Sequence, residues 1–154
     1  QVSVKGARTL AARLVAAVGE PLAAPVDGVT HAFPSAEAIA GSPTSDLAMP
    51  GARARALIHA CGQLAGGGIV IDAGSDRDEI SHQLESLPGI GPWTASYVTL
   101  RALGDPDVFL PTDIGVRNAL RAIGADSTPK AASHLAESWR PWRSYALHHL
   151  WASL

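Results

Sequence analysis

The residues best placed for chemistry are one acid and a few aromatics. Asp113 stands in "FLPTDIGVRNAL", between a Gly/Pro-rich stretch and a helical one, and Leu87 to Tyr97 reads "LPGIGPWTASY". A lone carboxylate in a dry site stabilises positive charge as it develops, an effect worth several kcal/mol. Trp93 and Tyr97 are four apart and share a helix face. Electron-rich rings of this kind attract cationic, electron-poor groups. Gly89 and Gly91 permit positive φ or close approach of another backbone. Pro92 suits the first helical position, where no N–H bond is lost. The turn therefore offers bare amides at a helix N-terminus, which can hold a phosphate without a basic side chain. Each part has an ordinary alternative. Gly-x-Gly also makes a plain helix–helix turn, and Asp113 also suits a helix cap. The glycine turn, the Gly/Pro-rich loop and the acid at a helix start are together far more specific than any one of them.

The elements that must position these residues read as helices. The chain has 154 residues, 47% hydrophobic and 17% charged, enough for one all-α domain with a core. Ser3 caps an expected helix to about Val18, and Gly19 and Pro21 stop it. Residues 20–34 read as a Pro/Gly-rich loop. Ser35 caps a short helix to Ala40, and Thr44 or Ser45 starts another that ends near Pro50. A longer helix spans Ala52 to about Leu64, where Gly66–Gly68 end it. "IVIDAGSD" reads as an extended connector, and Ser75 or Asp76 opens the next helix. After the glycine turn, helices are expected over 92–103, 114–123, 128–138 and 142–152, with a Pro-rich loop over 104–113. Asp105 and Asp107 in that loop are expected to face solvent.

Composition excludes several classes. No apolar run reaches the roughly 18 residues of a membrane span. Cys61 is the one cysteine, so no internal disulfide or four-thiolate cluster can form, and a reducing cytoplasm is the expected location. His148 and His149 are adjacent, which is poor spacing for a metal. A net charge of −2 opposes a simple electrostatic grip on nucleic acid, so any such grip must come from local geometry. The chain opens at Gln1 without Met, as expected of a fragment whose upstream part is missing.

Three stretches together resemble a known family: "QVSVKGARTLAARLV", "LPGIGPWTASYVTLRALGDPDVFLPTD" and "SWRPWRSYALHHLW". They are similar to the helix-hairpin-helix DNA glycosylase superfamily, and within it to the 3-methyladenine DNA glycosylase II group of alkylation repair. The resemblance runs from Gln1 to Trp151. It implies a helix-hairpin-helix helical fold, with the β-containing domain found upstream in such proteins absent here. It also implies hydrolysis of the N-glycosidic bond of an alkylated base, with Asp113 as the catalytic acid residue. Trp93, Tyr97 and Trp151 match positions that line the pocket for the flipped base. Relatives that also cleave the strand carry a Lys where Trp93 stands, so the resemblance implies no lyase step. The branch with an iron–sulfur cluster needs four cysteines and is excluded.

The DNA contacts implied are the amides of Gly89, Gly91 and Trp93, with Arg140, Arg143 and Ser144 as further phosphate or structural contacts. An ion pair or a solvated helix start suits the two arginines equally. Gln1, or a residue just upstream of it, matches the wedge that fills the gap left by a flipped base, and Gln1 departs from the apolar residue usual there. Ile114 departs where relatives can carry an aromatic. No cofactor is required. A sodium or potassium ion on the carbonyls of Glu85, Leu87 and Gly89 is implied at the hairpin. The expected partner is double-stranded DNA with alkylated bases, met by a monomer associated with the nucleoid. Two other readings stay open: a non-catalytic helix-hairpin-helix domain that only binds DNA, and a glycosylase for a mismatched or oxidised base.

Overall fold

A computed structural model describes residues 3–154. Gln1, the expected wedge, lies outside the described residues. The chain divides into two compact units: Gln1–Val70 with Leu87–Gly89, and Ile71–Ser86 with Ile90–Leu154. Among the described residues no helix is long and apolar enough to cross a membrane.

The first unit holds helices α1 (Val4–Val18), α2 (Ala36–Ala40) and α3 (Gly51–Ala65) and a short 3-10 turn, Thr44–Asp46. Ser3 caps α1 by accepting from the Gly6 amide, and Ser35 caps α2 by accepting from the Ala38 amide. Leu14, Ile39, Leu47, Ala54 and Cys61 form its core. Burial pushes the Cys61 thiol up, which keeps it protonated and inert.

Residues 20–34 are not a plain loop. Strands β1 (Pro21–Val26) and β2 (Val29–His31) form an antiparallel hairpin. Asp27 and Gly28 turn it, both at positive φ (49° and 84°). Asp-Gly is the residue pair that such a two-residue turn favours. Every residue of β1 is exposed, so the apolar alternation that marks a strand is missing. Pro21 and Pro25 are tolerated because a two-stranded ribbon pairs each strand on one side only.

The second unit holds α4 (Arg77–Glu85), α5 (Pro92–Ala102), α6 (Ile114–Ala122), α7 (Pro129–Ala136) and α8 (Arg143–Ala152). Asp76 caps α4 through the Glu79 amide, and Thr128 caps α7 through the Ala131 amide. "IVIDAGSD" is turned rather than extended at its end. Asp72 Oδ1 accepts from the Gly74 amide at 2.8 Å, and the Asp72 amide donates to Ser75 Oγ at 3.0 Å. The core is Leu100, Val108, Leu110, Val116, Leu120, Ala132 and Leu147. Two of these come from the loop over 104–113, so that loop is anchored by its own apolar side chains.

The two glycines of "LPGIG" differ. Gly89 has φ +88°, and a Cβ there would lie 2.7 Å from the Ala56 Cβ on α3. Gly91 has extended backbone (φ −107°, ψ 175°), caps α5, and would meet nothing within 4 Å. The fold requires glycine at 89 but not at 91. Gly89→Ala should therefore destabilise by at least about 2 kcal/mol, and Gly91→Ala by less than about 1 kcal/mol, in urea unfolding. Equal losses would contradict this division.

Candidate active site

Four of the residues singled out in the sequence meet in the second unit. Asp113 is the N-cap of α6, and its Oδ1 accepts from the Val116 amide at 3.0 Å. The cap reading of Asp113 is thus correct, and it leaves half of the carboxylate over. Trp151, on the last turns of α8, donates its indole N–H to the same Oδ1 at 3.0 Å. Trp93, on the first turn of α5, donates its indole N–H to Oδ2 at 3.2 Å. Three helices thus aim an N–H at one carboxylate. Oδ1 carries two donors and Oδ2 one, so Oδ2 is the oxygen with room for another group.

The rings pack on one another. Trp93 and Tyr97 stack with centroids 5.1 Å apart and planes 7° from parallel. Tyr97 and Trp151 lie 6.3 Å apart at 58°. His148 meets Trp151 edge-on at 5.4 Å. Trp93 remains 40% exposed, and Ile114 beside Asp113 is 70% exposed. An apolar, aromatic surface therefore borders the carboxylate, and its outer faces remain open to a ligand.

One residue of this arrangement was not anticipated. A Cβ on Gly115 would lie 3.0 Å from Asp113 Oδ1 and 3.2 Å from Trp151 Cδ1. Glycine is what lets the indole approach the acid across the first turn of α6. A glycine inside a helical pattern reads as a small cost, and nothing in the local sequence reveals what it must clear.

The expected DNA-contact residues on α8 are placed differently. Ser144 is buried, donates its hydroxyl to the Asp105 carbonyl at 2.6 Å and accepts from the Val108 amide at 2.9 Å. It is a structural contact, not a phosphate ligand. Asp107 does not face solvent as a free acid. It takes Arg143 Nε at 2.7 Å and Nη2 at 3.0 Å, and Arg140 Nη1 at 2.7 Å. Glu137 takes Arg140 Nε at 2.8 Å and Arg143 Nη1 at 3.5 Å. All three guanidinium nitrogens of Arg143 are engaged, so the ion-pair alternative is the one observed. Arg140 is paired too, with Nη2 left over. Trp139 packs edge-on against Phe109 at 5.6 Å, and Trp142, 58% exposed, meets Tyr145 edge-on at 5.7 Å.

Burial alone would raise the Asp107 carboxyl. The hydrogen bonds and charge of Arg143, with the charge of Arg140, outweigh that and hold it below its usual range. Glu137 is also lowered, chiefly by the hydrogen bond from Arg140.

No family model matches the chain. It is 45% identical over 154 residues to the probable bifunctional transcriptional activator/DNA repair enzyme AlkA of Mycobacterium tuberculosis, of which it covers 31%. It is 36% identical over 153 residues to DNA-3-methyladenine glycosylase 2 of Escherichia coli, covering 97% of this chain and 52% of that protein. The chain thus spans about half or less of these curated relatives. Among solved structures, the 3-methyladenine DNA glycosylase of Archaeoglobus fulgidus superposes with a TM-score of 0.83 at 24% identity, over 99% of this chain and 53% of that one. The 3-methyladenine DNA glycosylase Mag1 of Schizosaccharomyces pombe, in complex with abasic DNA, gives 0.81 at 21% identity, over 98% of this chain and 73% of that one.

The fold is that of the helix-hairpin-helix DNA glycosylases among these solved structures. By sequence the chain is similar to proteins of the 3-methyladenine DNA glycosylase II group.

Two outcomes follow from the geometry. Gly115→Ala should destabilise by about 1–2 kcal/mol in urea unfolding, because crowding outweighs the usual helix gain of alanine; a more stable variant would contradict the packing. For Asp107 the folded value is depressed, so its contribution is present above the ordinary aspartate value of about 3.9 and is lost as pH falls through the folded value. The stability difference between wild type and Asp107→Asn should be flat above about pH 5 and shrink below about pH 3.9. A difference that grows on acidification would reverse the sign.

Proposed function

We propose that this chain is the catalytic part of a monofunctional DNA glycosylase that removes alkylated bases, of the 3-methyladenine and 7-methylguanine type, from double-stranded DNA. The observation that supports it most is the Asp113 carboxylate held by the indoles of Trp93 and Trp151 beside open aromatic faces.

In this reading the flipped base rests against the exposed face of Trp93 and the corner made by Tyr97 and Trp151. A cationic alkylpurine is drawn to such rings by about 0.5–2 kcal/mol per contact. The bond between C1′ and the base nitrogen breaks, and the electron pair leaves with the base, which departs neutral. Positive charge then grows on the sugar opposite Asp113 Oδ2. Water adds at C1′, and its proton passes to the carboxylate side and on to solvent. No general acid is needed, because the leaving base already carries the positive charge. Trp93 has no amine to form a Schiff base with the abasic sugar, so strand cleavage does not follow.

Flipping costs a few kcal/mol of unstacking, and backbone contacts must offset it. The amides of Gly89, Gly91 and Trp93 would supply these. Among the described residues none of the three donates a hydrogen bond, and Gly91 has open space where a Cβ would be. Arg140 Nη2 is a further phosphate contact in this reading. The carbonyls of Glu85, Leu87 and Gly89 would hold a sodium or potassium ion. Oxygen donors of this kind suit a hard monovalent cation. The place of action is the nucleoid, in the cytoplasm.

Asp113→Asn in the full polypeptide should slow release of 3-methyladenine from duplex DNA by at least about a hundredfold while DNA binding persists. Release that survives the substitution would remove Asp113 from its role, and binding without release by the wild type would leave a DNA-binding domain only. Borohydride should trap no covalent adduct with abasic DNA. A trapped adduct would contradict the monofunctional assignment.

A further inference from the structure

The loop before Asp113 and the helix that carries Trp151 are joined at a second place. Trp142, the N-cap of α8, makes no side-chain cap. The first amides of α8 are satisfied by the loop instead. Arg143 donates its amide to Asp107 Oδ1 at 3.4 Å, and Ser144 donates its amide to the Pro106 carbonyl at 2.9 Å. The Ser144 hydroxyl adds its bonds to Asp105 and Val108, and the Arg143 guanidinium closes in two-pronged fashion on Asp107. Loop residues 105–108 are therefore bound in succession to the first two residues of one helix.

Trp151 lies two turns after Ser144 on the same face of α8. Asp113 lies a few residues beyond Asp107, past Leu110, which is buried in the core. Loop and helix thus meet twice, first at this clamp and again where Trp151 reaches Asp113. A helix rises about 1.5 Å per residue, whereas N–H···O distances stay within about 2.7–3.2 Å. A slip of α8 along the loop by a fraction of one residue would break the contact between indole and acid.

We propose that Asp107 and Ser144 are positioning residues: by fixing loop 105–108 on the first turn of α8, they set the register in which Trp151 reaches Asp113 and so the aim of the carboxylate. The consequence for rate rests on the glycosylase reading, but the consequence for geometry does not.

The test uses the full polypeptide with Asp107→Asn, which keeps shape and removes charge, and Ser144→Ala. The first readout needs no activity. The indole ¹H–¹⁵N resonance of Trp151, assigned with Trp151→Phe, reports its hydrogen bond to Asp113. Both substitutions should move it in the direction that Asp113→Asn moves it. A Trp151 resonance that Asp107→Asn leaves in place overturns the proposal, whether or not any base is released. The second readout is single-turnover release of 3-methyladenine from duplex DNA. Each variant should lose about tenfold or more in rate, with DNA affinity held within about twofold. An unchanged rate with weakened affinity would make these residues DNA contacts and would also overturn the proposal. If the wild type releases no base, the glycosylase reading fails and the resonance alone decides. If Asp107→Asn does not fold by circular dichroism, Arg143→Lys, which keeps charge but loses the two-pronged contact, takes its place with the same outcomes.

Discussion

Everything in the second unit converges on one constraint: the carboxylate of Asp113 must be held still by N–H groups and yet keep one oxygen available. Three donors from three helices meet it, the Val116 amide and the indoles of Trp93 and Trp151. Neutral donors orient a carboxylate without cancelling its charge. An arginine in the same place would neutralise the electrostatic effect that makes the acid useful opposite a forming cation. Preorganised dipoles of this kind cost no reorganisation during the reaction. In the proposed function the indoles would also supply the apolar surface for a flat base, so the same side chains would serve both orientation and binding.

The surrounding structure is arranged to keep those donors in place. Trp93 is fixed by its stack on Tyr97 one turn along α5. Trp151 is wedged between Tyr97 and His148, and Gly115 clears its path to the acid. The charged cluster lies farther along the same loop. Arg140 and Arg143 turn towards Asp107 and Glu137, so cations that resemble phosphate ligands in the sequence are consumed in joining loop to helix. In a chain of net charge −2, the proposed grip on DNA would therefore rest mainly on the bare amides of the glycine turn, with Arg140 Nη2 beside them.

How much of this was legible depends on how local each signal is. Trp93, Tyr97 and Asp113 could be read because helix periodicity, a glycine turn and a Pro-rich loop are all local patterns, and a resemblance added Trp151. Ser3, Ser35, Asp76 and Thr128 cap their helices as their positions suggest. The hairpin at 21–31 gives no strand pattern because its strands are largely exposed and β1 carries two prolines, although Asp27-Gly28 is its signature. Gly115 and the pairing of Asp107 with Arg143 were illegible for a different reason. They depend on groups that are distant in the chain or folded back across a helix turn, and no local pattern encodes such a meeting. The division into two units is equally hidden, since Leu87–Gly89 belong with a part of the chain that ends at Val70.

The central claim is that Asp113 acts as a fixed negative charge opposite a cationic sugar. It is tested most directly by comparing affinities for duplex DNA carrying a cationic pyrrolidine abasic nucleotide and its neutral tetrahydrofuran counterpart. Wild-type full polypeptide should prefer the cation by about tenfold or more, and Asp113→Asn should lose that preference while binding the neutral DNA unchanged. Equal affinities for the two DNAs in the wild type, or a preference that survives the substitution, would contradict the account.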